Sequence, residues 1–563
     1  MNKIKNYINI IKKYSNKLFG SISFNDEIKL NININNSLIK KSIKILKKNI
    51  ILYLISILYL LSIISYLFYY KNGLGLSYND ARSHLDIGRR VVEGLKPGLA
   101  QIGSVWLPLP HILMVPTIWN DFMWHSGLSG AMQSMLSFIA TGVLIYLFLK
   151  KLGVGMLGRI IGVFVFISNI NILYMQSTAM TELLLMATML AGVYELLLWH
   201  QNDKIMNLIK SSFWIMLATL IRYDGWFLLI YSALLVLLHT FRKKGIQAAE
   251  GIFLFFCTLG GLGIILWFVW NLIIFKDPLY FMLGPYSAHA QQQQLAQAGV
   301  LATAGNFILS LKIYLYALAY NTGTFTAFLG LLGAIFLWFD KKLSSSIRIA
   351  STALAAPFIF NVLALYYGFS VLFIQGLSGN TWFNVRYGLM MMPSIAIFTG
   401  YLINKTGAFK YVIIGLLLFV TFFAIANNDA VTIDDARVGS SQKNVSEVSG
   451  WLSKNAKDKP GFVLISAASH DAIIFSSGLP MSKFIHEGTG AYWTNATKYP
   501  DRWARWIIMR TNDINDQTFK LLKKTNYKNQ YVLIGHFPFA DIYELKPEYF
   551  NQLNTKPNLG KQR

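Results

Sequence analysis

The chain has 563 residues, of which 54% are hydrophobic and only 14% are charged, against roughly 25% charged residues in soluble domains. Its formal net charge of +25 comes mainly from short segments between apolar runs and from the N-terminus, a distribution typical of membrane orientation. The composition therefore argues against a nucleic-acid-binding protein and predicts a multi-pass membrane protein.

The N-terminal segment is strongly basic. Residues 1–48 contain eleven lysines and only two acidic residues, and lysine-rich segments are retained on the cytoplasmic side of a membrane. The apolar run that follows is long enough to span the bilayer, and the basic segment is too long for a cleaved signal peptide. We therefore expect residues 1–48 to be cytoplasmic and the first apolar run to remain as a membrane anchor.

Apolar runs of membrane-spanning length recur as far as residue 427 and alternate with short loops that carry lysine or arginine. This pattern predicts a polytopic α-helical domain over residues 49–427 with about eleven transmembrane helices. The predicted spans are residues 49–70, 128–149, 156–173, 179–199, 207–221, 226–240, 251–275, 324–339, 347–374, 388–404 and 410–427. An odd number of spans places the C-terminus on the outer face of the cell membrane.

Residues 428–563 are polar enough to form a soluble domain. The segments GFVLISA and NQYVLIGHF predict short buried strands, and residues 445–454 and 517–524 predict helices. We therefore expect an extracytoplasmic α/β domain after the last span.

Ionisable side chains gather in the predicted outer loops, although charges beside the hydrocarbon core are costly and usually face a cavity or a partner. These side chains, with one neighbouring tyrosine, are Asp80, His84, Asp86, Glu182, Arg222, Asp224, Arg386 and Tyr387. Since the loops share one predicted side of the membrane, we expect their side chains to converge in a single, partly dry cleft.

The two aspartates of the first loop also have structural interpretations. Asp80 precedes the segment ARSHLDIGRR, where it is suited to cap a helix. Asp86 lies at ion-pair spacing from Arg82, Arg89 and Arg90. Each aspartate therefore has a structural interpretation as an alternative to a catalytic role.

The histidines and the second acidic position are also ambiguous. His84 and His111 suit hydrogen bonding at the interface better than metal binding, because the sequence contains no HxxxH-like pair. Glu182 lies at the mouth of an apolar helix, where structural pairing and a functional role are equally supported. Carboxylates suit Mg²⁺ or Mn²⁺, but no convincing ligand set is present, which leaves metal dependence open.

The order of the motifs YNDARSHL, VWLPLPH, STAMTE, LIRYDGW and NVRYGLMMMP resembles the GT-C superfamily of polytopic membrane glycosyltransferases. The likeness is greatest to its protein O-mannosyltransferase and aminoarabinose transferase type, often called glycosyltransferase family 39. It extends over the chain to about residue 400. The individual motifs are short, and their order on one predicted membrane side carries the resemblance.

The resemblance implies roles for the outer-loop residues. The superfamily often has an Asp–Glu pair in the first loop, where this chain has Asn79 and Asp80; the likeness implies that Asp80 is the base, with Asp86 as a reserve and Glu182 at a second acidic position. The Arg386–Tyr387 pair matches the residues expected near the lipid phosphate. Three further residues are expected to contribute to donor binding: Arg222, as a second candidate for the phosphate, Asp224 and His84.

The function that the resemblance implies is transfer of a sugar from a polyprenyl phosphate to a hydroxyl or amine by a single inverting displacement. The acceptor would be a protein, a glycan or a lipid. A lipid or glycolipid transporter or flippase without transferase activity is the alternative, because it would also have many spans and buried charges. The sequence shows no internal repeat and its ionisable residues crowd one face, which favours the enzyme.

Overall fold

The structure is a computed structural model that describes residues 49–284, 287–297, 299–439, 445–513 and 516–557. The predicted cytoplasmic segment, residues 1–48, lies outside the described residues.

The first part of the described chain is almost entirely helical. Its α-helices are α1 Ile50–Lys71, α2 Asn79–Val92, α3 Leu109–Ile118, α4 Asp121–His125, α5 Leu128–Lys151, α6 Met156–Ile167, α7 Ile170–Met175, α8 Glu182–Asn202, α9 Ile205–Thr219, α10 Asp224–Lys244, α11 Ile246–Phe275, α12 Tyr280–Leu283, α13 Ala288–Gln297, α14 Phe307–Thr322, α15 Thr324–Phe339, α16 Ser345–Ser351, α17 Ala356–Tyr366, α18 Met392–Lys405 and α19 Lys410–Ala426. A helix satisfies its own backbone hydrogen bonds, which is what an apolar segment in a bilayer requires.

A helix occurs at each of the eleven predicted span positions. Among the described residues, seven helices are long and apolar enough to cross a membrane, or eight if α14 and α15 form one span bent by 110°. Helices α6 and α9, at two other predicted positions, are apolar but shorter. The chain is therefore a multi-pass membrane protein.

Two predicted spans differ from the structure at their ends. The span predicted over residues 347–374 ends at Tyr366, because the chain turns at Gly368 with φ +69° and residues 373 and 383 then form an antiparallel bridge. The span predicted over residues 156–173 is divided where the Asn169 side chain accepts a hydrogen bond from the Ile172 amide and caps α7. Both differences are caused by local turn and cap chemistry within apolar sequence.

The basic loops lie together at one end of the bundle, which we call the basic end. They include the loops near residues 150–155, 202–205, 242–246 and 340–344. Two of these loops touch, since Lys243 Nζ is 2.8 Å from Asp203 Oδ2. Because the long helices alternate in direction, residues 72–127, 168–181, 220–223 and 367–391 lie at the opposite end.

The remaining described residues form a small α/β domain that follows α19. Its helices are α20 Val431–Val438, α21 Val445–Asn455, α22 Ala467–Ser477, α23 Ala491–Lys498, α24 Pro500–Trp503, α25 Gln517–Leu522 and α26 Tyr527–Gln530. Its strands are β1 Phe462–Leu464, β2 Phe484–Ile485, β3 Ala504–Met509, β4 Tyr531–His536 and β5 Asp541–Leu545. The sheet order is β2-β1-β3-β5-β4, with β1 parallel to β2 and β3 and with β5 antiparallel to β3 and β4.

The predicted strands and helices of this domain are present, but one strand that was predicted to be buried is largely exposed. Segment NQYVLIGHF forms β4, yet Val532 and Leu533 are 49% and 46% exposed rather than buried. The reason is that β4 is an edge strand paired only with β5. The domain packs on the opposite end of the bundle, where Arg82 Nη1 of α2 donates to Ser476 Oγ of α22 over 3.1 Å.

Candidate active site

Arg386 lies in a short 3-10 helix directly before α18. This segment, Val385–Met391, begins after Asn384, whose φ of +55° turns the chain out of the preceding loop. Gly388 lets it pack closely on α14, since a Cβ there would lie 2.3 Å from the Ala317 carbonyl oxygen. The Arg386 side chain is consequently fixed and only 3% exposed.

The Arg386 guanidinium contacts carboxylates from three distant parts of the chain. Its Nη2 lies 2.6 Å from Asp80 Oδ2, and its Nε donates to Glu182 Oε1 over 3.0 Å. Its Nη1 lies 3.9 Å from Asp435 Oδ2. A buried charge is tolerated only with such partners, so Arg386 joins the first loop, the start of α8 and the start of the C-terminal domain.

Arg222 extends the same network. Its Nη1 is 3.3 Å from Glu182 Oε1, and its Nε is 3.4 Å from Asp224 Oδ2. Glu182 Oε1 is therefore shared by two guanidinium groups. We call the following set the charged cluster: Asp80, Glu182, Arg222, Asp224, Arg386 and Asp435.

Two tyrosines form aromatic walls against the guanidinium groups. Arg386 lies 4.9 Å from the Tyr78 ring centre and 5.4 Å from the Tyr387 ring centre. Arg222 lies 4.9 Å from the Tyr387 ring centre. The Tyr78 hydroxyl lies 3.1 Å from Asp435 Oδ2 and can donate to it. Cation–π contacts of this kind orient a guanidinium plane while leaving its N–H groups available.

The cluster has hydrogen-bonding capacity that the described residues do not use. Within the part of the chain that the structure describes, three of its buried atoms have no hydrogen-bond partner: Glu182 Oε2, Asp224 Oδ1 and Arg386 Nη1. Buried polar atoms in folded proteins are nearly always paired. The charged cluster is therefore suited to receive a polar ligand.

The four carboxylates of the cluster differ sharply in access to solvent. The Asp80 side chain is 36% exposed, whereas those of Glu182 and Asp435 are fully buried and that of Asp224 nearly so. Asp80 is in the first turn of α2 and makes no cap hydrogen bond, because the N-cap position is Tyr78. The helix-cap interpretation of Asp80 was wrong, and Asp80 is the carboxylate of this cluster that an external molecule reaches.

His84 lies beside the charged cluster and pairs with His111. The two rings are joined by Nδ1 and Nε2 atoms 2.9 Å apart, and Trp106 packs on His84 with ring centres 4.2 Å apart. Burial, with Arg222 and Arg386 nearby, lowers the pKa of His84 to about 3. The imidazole is therefore neutral near pH 7 and adds no charge to the cluster.

Asp86 does not join the cluster, which corrects its assignment as a reserve base. Its Oδ1 accepts a hydrogen bond from Trp124 Nε1 over 3.1 Å, and it lies beside Asp471 of α22. Its predicted ion-pair partners are engaged elsewhere: Arg90 pairs with Asp471 at 2.5 Å, and Arg89 pairs with Asp121 at 2.6 Å. Six residues of an α-helix turn through about 600°, a net rotation of about 240°, so Asp80 and Asp86 point in different directions.

We expect the Asp86→Asn variant to make folding stability less dependent on pH. Burial raises the pKa of Asp471 to about 6, and burial and the neighbouring Asp471 raise the pKa of Asp86. The folded state thus holds protons that the unfolded chain releases above about pH 4. Wild-type stability should therefore fall as the pH rises from about 4 to about 6, and the shift of Asp471 alone corresponds to about 3 kcal/mol.

Thermal unfolding in detergent at pH 5 and pH 8 measures this effect. The decline in apparent Tm between the two pH values should be smaller for Asp86→Asn than for the wild type. Asp121→Asn, which changes an exposed carboxylate that pairs with Arg89, should behave like the wild type. Equal declines in Asp86→Asn and the wild type would contradict the prediction.

Asp435 is a member of the charged cluster that is not among the predicted site residues. This residue lies in α20, which is anchored where the Thr432 backbone amide and hydroxyl donate to Asn171 Oδ1 over 3.0 and 2.7 Å. The signal that could have found it is the adjacent acidic pair Asp434–Asp435, which follows the last apolar run at the same end of the bundle. The predicted soluble domain begins at residue 428, which separates this pair from the predicted outer loops.

The site residues as arranged do not fit a divalent cation. In the part of the chain that the structure describes, no three His, Cys, Asp or Glu side chains are grouped so as to hold a metal ion. The cluster carboxylates contact guanidinium groups instead, whereas Mg²⁺ and Mn²⁺ require several oxygen ligands around one ion.

No protein-family model matches this sequence, and no curated protein matches it. Among solved structures, the chain is similar to ArnT from Cupriavidus metallidurans bound to undecaprenyl phosphate, with 9% identity and a TM-score of 0.50 over 86% of this chain and 98% of ArnT. It is also similar to the archaeal oligosaccharyltransferase AglB from Archaeoglobus fulgidus, with 10% identity and a TM-score of 0.49 over 82% of this chain and 69% of AglB. The likeness to ArnT covers most of this chain, and it shows that the chain shares the fold of ArnT, in agreement with the fold expected from the sequence.

Proposed function

We propose that this protein is a membrane glycosyltransferase that moves a sugar from a polyprenyl phosphate to a hydroxyl or amine of an acceptor. The observation that carries the proposal is the buried guanidinium of Arg386, which contacts the accessible carboxylate of Asp80 at one end of an apolar bundle. The similar ArnT structure is bound to undecaprenyl phosphate, which supports a lipid phosphate as the donor group here.

Arg386 and Arg222 are the groups proposed to hold the donor phosphate. A guanidinium presents a planar fork of N–H donors that matches phosphate oxygens, and Arg386 Nη1 has no hydrogen-bond partner among the described residues. An arriving phosphate would bind this Nη1 while Nη2 keeps its contact with Asp80. The donor phosphate and the proposed base would then lie side by side on one guanidinium.

Asp80 is the proposed base. The acceptor oxygen or nitrogen forms a bond to the anomeric carbon while the bond from that carbon to the phosphate oxygen breaks. Asp80 takes the acceptor proton, and the departing electron pair remains on the lipid phosphate beside Arg386. A positioned base of this kind typically contributes about 10²- to 10⁴-fold to the rate. Attack opposite the leaving phosphate would invert the anomeric configuration.

Glu182 is proposed to position both arginines and to stabilise the transition state. Its Oε1 accepts from Arg386 and Arg222, and it is fully buried. Within the charged cluster, four carboxylates face two guanidinium groups. The excess negative charge would favour the positive charge that develops on the sugar ring in an oxocarbenium-like transition state.

We propose that the charged cluster faces the outside of the cell membrane. The basic end of the bundle carries lysine or arginine in several short loops, and such loops are retained in the cytoplasm. The cluster and the C-terminal domain lie at the opposite end. This orientation puts the donor sugar where envelope acceptors are found.

The proposal is tested by incubating the purified full-length protein in nanodiscs with a panel of polyprenyl-phosphate sugars and a membrane extract as the acceptor source, with and without chelator. We expect release of free polyprenyl phosphate from one of the donors and loss of that release in Asp80→Ala. Movement of an intact donor across liposomes, without release of lipid phosphate and with no effect of Asp80→Ala, would instead indicate a transporter.

A further inference from the structure

The basic end contains a cavity that the proposed transfer reaction does not use. It has a volume of about 110 Å³ and lies between the ends of α8 and α10 and the start of α11. The residues lining it that matter here are Trp199, Asp203, His239, Thr240, Lys243 and Lys244. One water needs about 10–15 Å³ of such space, so the cavity has room for a group of several heavy atoms.

The cavity is separated from the charged cluster by the thickness of a membrane. Helix α8 begins at Glu182 in the cluster, and Asp203 directly follows its last residue. At 1.5 Å per residue this helix is about 30 Å long, close to the thickness of the hydrocarbon core. The two sites therefore lie on opposite faces of the bilayer and cannot share one ligand.

The polar lining of the cavity suits an anion. Asp203 is engaged by two donors from α10, since its Oδ2 is 2.8 Å from Lys243 Nζ and its Oδ1 is 3.0 Å from His239 Nε2. Its backbone has a φ of +52°, a conformation that non-glycine residues rarely adopt, and this turn brings its carboxylate to α10. With Asp203 engaged, Lys244 gives the cavity a net positive charge.

One buried donor in the cavity has no protein partner. Thr240 is only 3% exposed, and its Oγ1 forms no hydrogen bond in the described structure. A threonine within a helix normally donates to a carbonyl one turn earlier, so an unpaired hydroxyl here points to a ligand atom that accepts a hydrogen bond. Lysine and threonine donors together recognise phosphate oxygens.

The remaining walls are apolar. Ile205 and Ile252 line the cavity, and Ile205 is 47% exposed at the surface of the bundle. Phosphate donors beside exposed aliphatic side chains, at the end of membrane-spanning helices, match the headgroup and first acyl carbons of a phospholipid. We propose that this cavity binds the phosphate group of an anionic glycerophospholipid on the membrane face opposite the charged cluster.

Binding is tested on the delipidated full-length protein in detergent by native mass spectrometry, with phosphatidylglycerol, phosphatidylcholine and inorganic phosphate as separate probes. We expect phosphatidylglycerol to bind more tightly than the other two. The double variant Lys243→Gln/Lys244→Gln should weaken that binding about 30-fold, given the usual contribution of two lysines near an anionic headgroup. Thr240→Val, which keeps the side-chain shape, should weaken it by a smaller factor.

The matched control is Lys341→Gln/Lys342→Gln, which removes the same charge from another loop of the basic end and should leave binding unchanged. Both double variants keep the eleven lysines of residues 1–48. Equal weakening by the two double variants, together with no effect of Thr240→Val, would overturn the site in favour of general attraction to basic loops. Equal binding of phosphatidylglycerol and phosphatidylcholine, or of inorganic phosphate and phosphatidylglycerol, would overturn the assigned ligand.

Discussion

Replacing Arg386 with lysine is expected to lower sugar transfer by about 10²- to 10³-fold, the usual loss when one preorganised donor to a developing oxyanion is removed. Lysine keeps the positive charge but lacks the planar fork. It would not be able to contact Asp80, Glu182 and a phosphate oxygen together, as Nη2, Nε and Nη1 of Arg386 are placed to do. The loss should appear both in the affinity for the donor and in the rate of transfer.

Arg222→Lys is the matched comparison for this variant. Arg222 also contacts Glu182, but over 3.3 Å, and its side chain is 20% exposed. Longer and more exposed contacts are weaker, so this variant should lose less than about tenfold in activity. Lysine also avoids the unpaired buried carboxylates that alanine would leave at position 386, which would destabilise the fold. Retained donor binding in Arg386→Lys would contradict the phosphate role of Arg386.

The positions of the membrane helices were predictable because hydrophobic length determines them. A run that can span the bilayer must form a helix, and the alternating loops then allocate each residue to one end of the bundle. The alternation places Asp80, Glu182, Arg222 and Arg386 at one end, and the structure joins them within hydrogen-bonding or ion-pair distance. Topology thus predicted proximity among residues up to 306 positions apart.

Local geometry was less predictable than topology. The 110° bend between α14 and α15 occurs at Gly323, a single glycine inside apolar sequence. It is fixed partly by tertiary hydrogen bonds from Asn169 and Asn171 to the Asn321 carbonyl oxygen. Only the first part of the loop that precedes Arg386, residues 367–374, belongs to a predicted span, because its residues are mostly apolar as far as Ile374. Hydropathy does not distinguish an apolar loop at the membrane surface from the end of a span.

The composition of the site was predicted only in part, for two separate physical reasons. Asp86 could have been excluded from the sequence, because its spacing from Asp80 places the two on different sides of one helix. Asp435 could not have been identified in the same way. It reaches Arg386 through the packing of α20 against the bundle, where Thr432 bonds to Asn171, and such a contact follows from tertiary structure rather than from periodicity.

Asp80→Asn is expected to lower the rate of transfer by about 10²- to 10⁴-fold, the contribution of a positioned general base, while donor binding changes little. Asparagine keeps the size of the side chain and an oxygen that can accept from Arg386, so the network should stay assembled. It loses the basicity needed to take the acceptor proton. Measuring the rate at saturating donor, and donor affinity separately, distinguishes the loss of a base from the loss of an ion pair.

The matched control for Asp80→Asn is Asp86→Asn, the same substitution on the same helix. Asp86 contacts Trp124 and the C-terminal domain rather than the charged cluster, so transfer by this variant should be close to that of the wild type. Asp80 is the cluster carboxylate that an acceptor can reach, and no buried carboxylate can replace it without a path for the proton. If Asp80→Asn kept more than about a tenth of wild-type activity, a smaller loss than a general base usually produces, the base would have to be another group.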